Sequence, residues 1–154
     1  MQTILRWMLV SVVLFVGAVT QVRADRTADL RARAEAGAAD AQYDLGFLYD
    51  NGYGVAQDYQ AALTWYRKAA EKGVADASYR LGALYERGKG VPSDMEYAYG
   101  WYSVAAHVGN AKGADALKKV AAKLSETERT EAKKLSRDLI KKYGVVPKST
   151  SRRK

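Results

Sequence analysis

The chain contains no cysteine and only one histidine, His107, among its 154 residues. Without cysteine it can form no disulfide, carry no thiol nucleophile and take no lipid on a thiol, so stability must come from packing alone. A single imidazole with no thiolate falls short of the ligands that a zinc site needs. No serine lies in a nucleophile elbow, the strand-to-helix turn that presents a catalytic serine. We therefore expect no metal, no cofactor and no enzyme activity.

Phenylalanine is also scarce, with two residues against eleven tyrosines and three tryptophans. Tyrosine and tryptophan bury apolar area while keeping a polar group for a surface that is partly wet. The mixture of apolar and charged residues indicates a folded chain, and the length suits one modest domain or a short repeat array.

Charge is nearly absent from the beginning of the chain. After Arg6, the sixteen residues 7–22 are uncharged, and Val22 and Ala24 place small residues at the two positions that a signal peptidase reads. This pattern predicts a secretory signal over 1–24, cut after Ala24, and hence an exported protein, periplasmic or secreted. An uncleaved membrane anchor is the alternative, although a spanning helix needs roughly 20 apolar residues.

Two copies of one pattern occupy the middle of the chain. Residues 39–73, ADAQYDLGFLYDNGYGVAQDYQAALTWYRKAAEKG, align with residues 75–109, ADASYRLGALYERGKGVPSDMEYAYGWYSVAAHVG, at an offset of 36. Each copy predicts a helix, a loop and a second helix, because Ala41, Leu45 and Tyr49 recur at helical spacing. Asp58 and Asp94 are predicted N-caps of the second helices.

Glycine pairs, G-Y-G and G-K-G, lie between the two helices of each copy. A dinucleotide fingerprint requires a preceding strand and a third glycine, and a phosphate loop requires Ser or Thr after its lysine. Neither condition is met. We therefore interpret Gly52, Gly54, Gly88 and Gly90 as structural residues of a tight connector.

The pattern A-x-A-x-x-x-L-G-x-x-Y, then G-x-G-V, D and A-x-x-W-Y-x-x-A-A-x-x-G, resembles the Sel-one-like repeat, a relative of the tetratricopeptide repeat. The resemblance implies an all-α fold, a short right-handed α/α superhelix of helix-loop-helix repeats with helical caps. It also implies a protein-interaction scaffold, of a kind found in bacterial envelopes among other settings. It identifies no partner.

Two repeats are few for a stable solenoid, which typically needs at least three, so the flanks are expected to complete the core. In the flank after repeat two, Ser125 and Glu128 predict a capping box. The predicted segments are a signal peptide over 1–24, an N-terminal capping helix over 25–37, repeat one over 38–73, repeat two over 74–109, a degenerate repeat with a closing helix over 110–143, and a basic disordered tail over 144–154.

A binding groove follows from the resemblance, which places one side of each first helix on the concave face. The residues predicted there are Tyr43, Phe47, Asp50, Tyr79, Ala83 and Glu86. An acidic-rimmed aromatic strip would suit a peptide or helix with apolar anchors and Lys or Arg. The alternative is that Tyr43 and Tyr79 pack on the preceding helix as core residues.

Basic residues dominate the end of the chain, where residues 118–154 hold thirteen Lys/Arg against four Asp/Glu. The cations assigned to the tail surface are Lys141, Lys142, Lys148, Arg152, Arg153 and Lys154. This segment is either a solvated end or a site for an anionic envelope surface. A further alternative is that it docks in the acidic groove of a neighbouring copy. Nucleic acid is not expected, since Tyr143 is the segment's lone aromatic residue.

The sequence thus predicts a non-catalytic adaptor that binds a protein or peptide partner in its groove. The alternative is a structural protein tethered to the envelope by its basic tail. The oligomeric state is left open, because imperfect caps would expose an apolar end through which two copies could pair.

Overall fold

A computed structural model describes residues 26–144, and within that range the chain forms seven helices and no strand. Residues 26–35 form α1. The others are α2 (Ala39–Asn51), α3 (Tyr59–Glu71), α4 (Ala75–Arg87), α5 (Met95–His107), α6 (Ala111–Lys123) and α7 (Glu126–Tyr143). The predicted all-α helical-repeat solenoid is confirmed. The predicted signal segment 1–24, and the tail residues Lys148, Arg152, Arg153 and Lys154, lie outside the described residues.

The 36-residue spacing extends beyond the two repeats. The first helices α2, α4 and α6 begin at 39, 75 and 111, and the second helices α3, α5 and α7 end at 71, 107 and 143. Helix α1 ends at residue 35, which is one spacing before the end of α3. Each flank therefore keeps the position of a repeat helix, although it has lost most of the repeat's side chains.

The second helices begin where local capping chemistry sets their first turn. The Asp58 carboxylate accepts hydrogen bonds from the backbone N–H groups of Gln60 and Ala61, and the Asp94 carboxylate accepts one from Tyr97. Helix α7 begins early, because its capping box forms at Ser125, two residues after the end of α6. All three caps were predicted from the sequence. The early cap at Ser125 gives α7 a length of 18 residues, against 13 in α3 and α5.

Glycine allows the two helices of each repeat to approach closely. A Cβ atom added at Gly46 would lie 2.8 Å from the ring of Tyr66, and one added at Gly82 would lie 2.6 Å from the ring of Tyr102. Both rings are buried almost completely. The same glycine–tyrosine contact therefore fixes the spacing of the first and second helix in both repeats.

Hydrophobic contacts continue into the flanking helices. Ala34 of α1 is buried against Ala41 and Leu45 of α2. At the other end α7 packs along α5, where the rings of Trp101 and Tyr143 lie 4.8 Å apart. The core thus runs from α1 to α7, and each repeat is packed on both sides. No helix among residues 26–144 is both long enough and apolar enough to cross a membrane.

Candidate functional site

The predicted groove residues of α2 are half-buried, and two of them contact Tyr66 of α3. The ring of Tyr43 lies 5.7 Å from the ring of Tyr66, and the Asp50 carboxylate accepts a hydrogen bond of 3.3 Å from the Tyr66 hydroxyl. Burial, together with the negative charge of Asp50, raises the pKa of Tyr66 above its ordinary value. The Tyr66 hydroxyl therefore stays protonated and keeps donating to Asp50.

Helix α4 repeats this arrangement. The ring of Tyr79 lies 5.7 Å from the ring of Tyr102, whose hydroxyl donates to Glu86 at 2.8 Å. Burial and the bond to Glu86 raise the pKa of Tyr102 above its ordinary value. Each predicted groove tyrosine thus packs on the second helix that follows it, whereas the alternative interpretation placed it on the helix before. One side of each ring faces the core, and the side chain keeps some exposure.

Arg80 connects the two helices into one surface. Its guanidinium lies 5.1 Å above the ring of Phe47, a cation–π contact across the repeat boundary. Burial disfavours the charge of Arg80, but a hydrogen bond with Tyr43 and the nearby Asp50 carboxylate outweigh it and raise its pKa. We use the name inner strip for the surface formed by Tyr43, Phe47, Asp50, Tyr79, Ala83 and Glu86.

An open cleft of about 630 Å³ lies beside the inner strip, between α4 and α6. Tyr79 and Tyr102 supply its aromatic surface. Its charged lining residues are Glu86, Arg87, Lys112, Asp115, Lys119 and Lys123. Four cations therefore face two carboxylates, and one of those carboxylates, Glu86, is paired with Lys123 at 2.8 Å. We call this space the α4–α6 cleft.

Comparison with family models matches the Sel1 repeat twice, at residues 39–74 and 75–110. Both repeats therefore belong to the Sel1 family. Sel1 repeats generally mediate protein–protein interaction and are generally non-catalytic scaffolds. The family resemblance predicted from the sequence is confirmed for two repeat units.

Two solved structures are similar to this chain. One is a protective antigen present in uropathogenic Escherichia coli strains, displaying an SLR fold, with 34% identity over 77% of this chain and a TM-score of 0.74. Another is a Sel1 repeat protein from Oxalobacter formigenes, with 43% identity over 59% of this chain and a TM-score of 0.57. The chain spans 26% of the length of each. No curated protein matches it.

The structure corrects the acidic rim that the sequence predicted for the groove. Acidic character holds along α2, but Glu86 on α4 is neutralised by Lys123, and α6 adds Lys112 and Lys119. Sequence reasoning missed these lysines, because α6 has lost the Sel1 signature. The 36-residue spacing would have found them, since Lys119 takes the position of Ala83 in repeat two.

Glu86 belongs to both the inner strip and the α4–α6 cleft, and its surroundings lower its pKa. Burial opposes its ionisation, but the hydrogen bonds from Lys123 and Tyr102 outweigh burial and hold the pKa of Glu86 below its ordinary value. A lowered folded-state pKa stabilises the fold above the ordinary pKa of a glutamate, about 4.3, and this stabilisation is lost as the pH falls through the lower folded-state value.

We predict that Glu86→Gln lowers the free energy of unfolding at neutral pH and also reduces the further loss of stability in acid, because the ionisable group that causes part of that loss is gone. Urea denaturation at several pH values measures both effects. Glu131→Gln, on the exposed side of α7, is the control and should behave as the unaltered protein does. An unchanged pH dependence in Glu86→Gln would contradict the assignment.

Repeat one carries negative charge that its surroundings do not fully compensate. Burial and the nearby Asp40 carboxylate raise the pKa of Asp44, while Arg33 acts in the opposite direction. Arg33 is bound to Asp40 at 2.6 Å. The α2 end of the inner strip is thus acidic, in contrast with the α4–α6 cleft.

The remaining predicted residues lie away from the inner strip. Lys141 and Lys142 are exposed in the last turn of α7, and Lys142 lies 4.9 Å above the Tyr143 ring. His107 is exposed at the end of α5. Across residues 26–144, no three His, Asp or Glu side chains converge in a way that could hold a metal ion.

Proposed function

We propose that this Sel1 protein is a non-catalytic adaptor that holds a peptide or protein segment on the inner strip. The observation that supports the proposal is the way Tyr43 and Tyr79 are held, each half-exposed on a buried tyrosine of the next helix. Aromatic side chains that are already fixed lose little conformational entropy on binding and serve as anchors at interfaces. The strip offers such anchors at the same position in both repeats.

The proposed place of action is the bacterial envelope or its exterior. The uncharged stretch 7–22, followed by small residues at 22 and 24, supports export. The description of one similar protein as a protective antigen suits a location outside the cytoplasm. A second candidate function, tethering to an anionic envelope surface, is supported by exposed Lys141 and Lys142, which lead into the cationic sequence 145–154.

Site-specific photocrosslinking tests the adaptor function. A benzophenone amino acid replaces Phe47 on the inner strip or, as the matched control, Tyr97, an aromatic residue on α5 that is 39% exposed. In an envelope extract of the native cell, we expect one discrete adduct from position 47 and none from position 97. Equal capture from both positions would contradict the inner strip as the binding surface.

A variant with a neutral tail separates the two candidate functions. It carries Lys148→Ser, Arg152→Ser, Arg153→Ser and Lys154→Ser, and leaves residues 26–144 unchanged. The adaptor function expects the adduct at position 47 to persist in this variant. Loss of the adduct, together with loss of sedimentation with anionic vesicles, would favour the tether instead.

A further inference from the structure

Charge changes sign along the inner side of the three first helices. Residues 36 apart occupy equivalent places in α2, α4 and α6, and these places carry acids in α2, both signs in α4 and mostly lysines in α6. The charged residues are Asp40, Asp44 and Asp50 in α2, Asp76, Arg80, Glu86 and Arg87 in α4, and Lys112, Asp115, Lys119 and Lys123 in α6. The inner side of these helices is therefore negatively charged at the α2 end and positively charged at the α6 end.

Much of the positive charge at the α6 end is uncompensated. Among residues 26–144, Lys112 and Lys119 have neither an ion pair nor a hydrogen bond through their side chains, and both line the α4–α6 cleft. Arg87 of α4 also lines it, and its charge helps to lower the pKa of Glu86. Lys123 is bound to Glu86, and Asp115 lies 4.0 Å from Lys118. The cleft thus holds two lysines that are free to bind an anionic ligand, with Arg87 beside them.

We infer that the α4–α6 cleft binds an acidic segment of the partner, in which Asp or Glu residues flank an aromatic or apolar side chain. This inference rests on the proposed adaptor function and names the chemistry of its ligand. The apolar side chain would pack on Tyr79 and Tyr102, and the carboxylates would lie against Arg87, Lys112 and Lys119. Exposed pairs of this kind each contribute little to affinity, so the segment needs several acids.

The acidic end of the surface fixes the direction in which such a segment lies. Asp44 already carries a raised pKa because burial and Asp40 disfavour its charge, so a further carboxylate there would be repelled. Complementary charge at one end and like charge at the other give orientation and discrimination more than affinity. The acids of the partner therefore lie over α6, and its neutral or cationic part over α2.

Three labelled pentapeptides test this inference by fluorescence anisotropy at low ionic strength: a tyrosine flanked by two glutamates, two glutamines or two lysines on each side. We expect the glutamate peptide to bind more tightly than the glutamine peptide. Lys112→Glu/Lys119→Glu should weaken its binding about tenfold, since two weak attractions become repulsions. Lys133→Glu/Lys134→Glu, an equal charge change on exposed positions of α7, should leave it within about twofold.

Amide chemical shifts locate the bound peptide and separate the possible failures. Shifts from the glutamate peptide within 79–87 and 112–123 support the inference, and the milder Lys112→Gln/Lys119→Gln variant should reduce them. Equal weakening by the α7 variant, or equally tight binding of a single-stranded DNA of the same charge, would overturn it.

If the glutamine or lysine peptide shifts the amide signals of residues 43–50 while the glutamate peptide binds nowhere, the inference fails and the adaptor function stands. If no peptide shifts the inner strip and position 47 gives no adduct, both fail.

Discussion

Replacement of Trp101 by alanine is expected to lower the free energy of unfolding by about 3 to 5 kcal/mol, the usual cost of removing a large aromatic side chain from a core. Trp101 is 2% exposed, and its ring lies 4.8 Å from that of Tyr143 in α7. The same cluster contains Leu81 and Leu84 of α4. The cavity would therefore open where α4, α5 and the closing helix meet. Urea denaturation followed by far-UV circular dichroism measures the change.

Trp65→Ala is the matched control, because Trp65 has the same position in repeat one. Its ring is half-buried against the cluster formed by Ala34, Ala41 and Leu45, and Lys68 lies 4.1 Å above it. Since less of its surface is removed from water, the loss of stability should be clearly smaller than for Trp101→Ala. Equal losses would contradict the packing of α7 over Trp101.

The repeat units and their caps could be predicted because local sequence determines them. Asp58 and Asp94 accept hydrogen bonds from N–H groups two or three residues further on, and Ser125 pairs with Glu128. Chemistry at that range is visible in one sequence. Gly46 and Gly82 lie inside predicted helices, where glycine is tolerated only at a cost, so the sequence alone indicates a close approach at these positions.

The α4–α6 cleft could not be predicted from the residues that mark a Sel1 repeat. Its charge depends on contacts between residues far apart in sequence, such as the pair Glu86 and Lys123, and on α6, which keeps the spacing but not the signature. The same holds for Arg80, which reaches Phe47 on another helix. Periodicity places a residue on a face of a helix, but the neighbours across the repeat boundary decide its charge environment.

Gly90→Ala is expected to cost roughly 2 to 5 kcal/mol, the sum of a left-handed backbone conformation and an overpacked contact. Gly90 has φ 74°, and a Cβ atom there would lie 2.7 Å from the Cβ atom of Tyr59 and 2.9 Å from its carbonyl carbon. Because the second of these is backbone at the start of α3, it cannot move aside as a side chain would. The Gly90 carbonyl also accepts a hydrogen bond from Gln60.

Gly54→Ala isolates the backbone part of this cost. Gly54 is the equivalent residue of repeat one, with φ 72°, but the nearest atom to an added Cβ is the Thr27 hydroxyl oxygen, 3.7 Å away. Its loss should therefore be about 1 to 2 kcal/mol. Gly90 packs the connector of repeat two against the first turn of α3 in repeat one. Its replacement should therefore also broaden the urea transition, because the two repeats would unfold less cooperatively. Equal losses and equal slopes for the two variants would show that conformation alone, and not contact between repeats, requires glycine at this position.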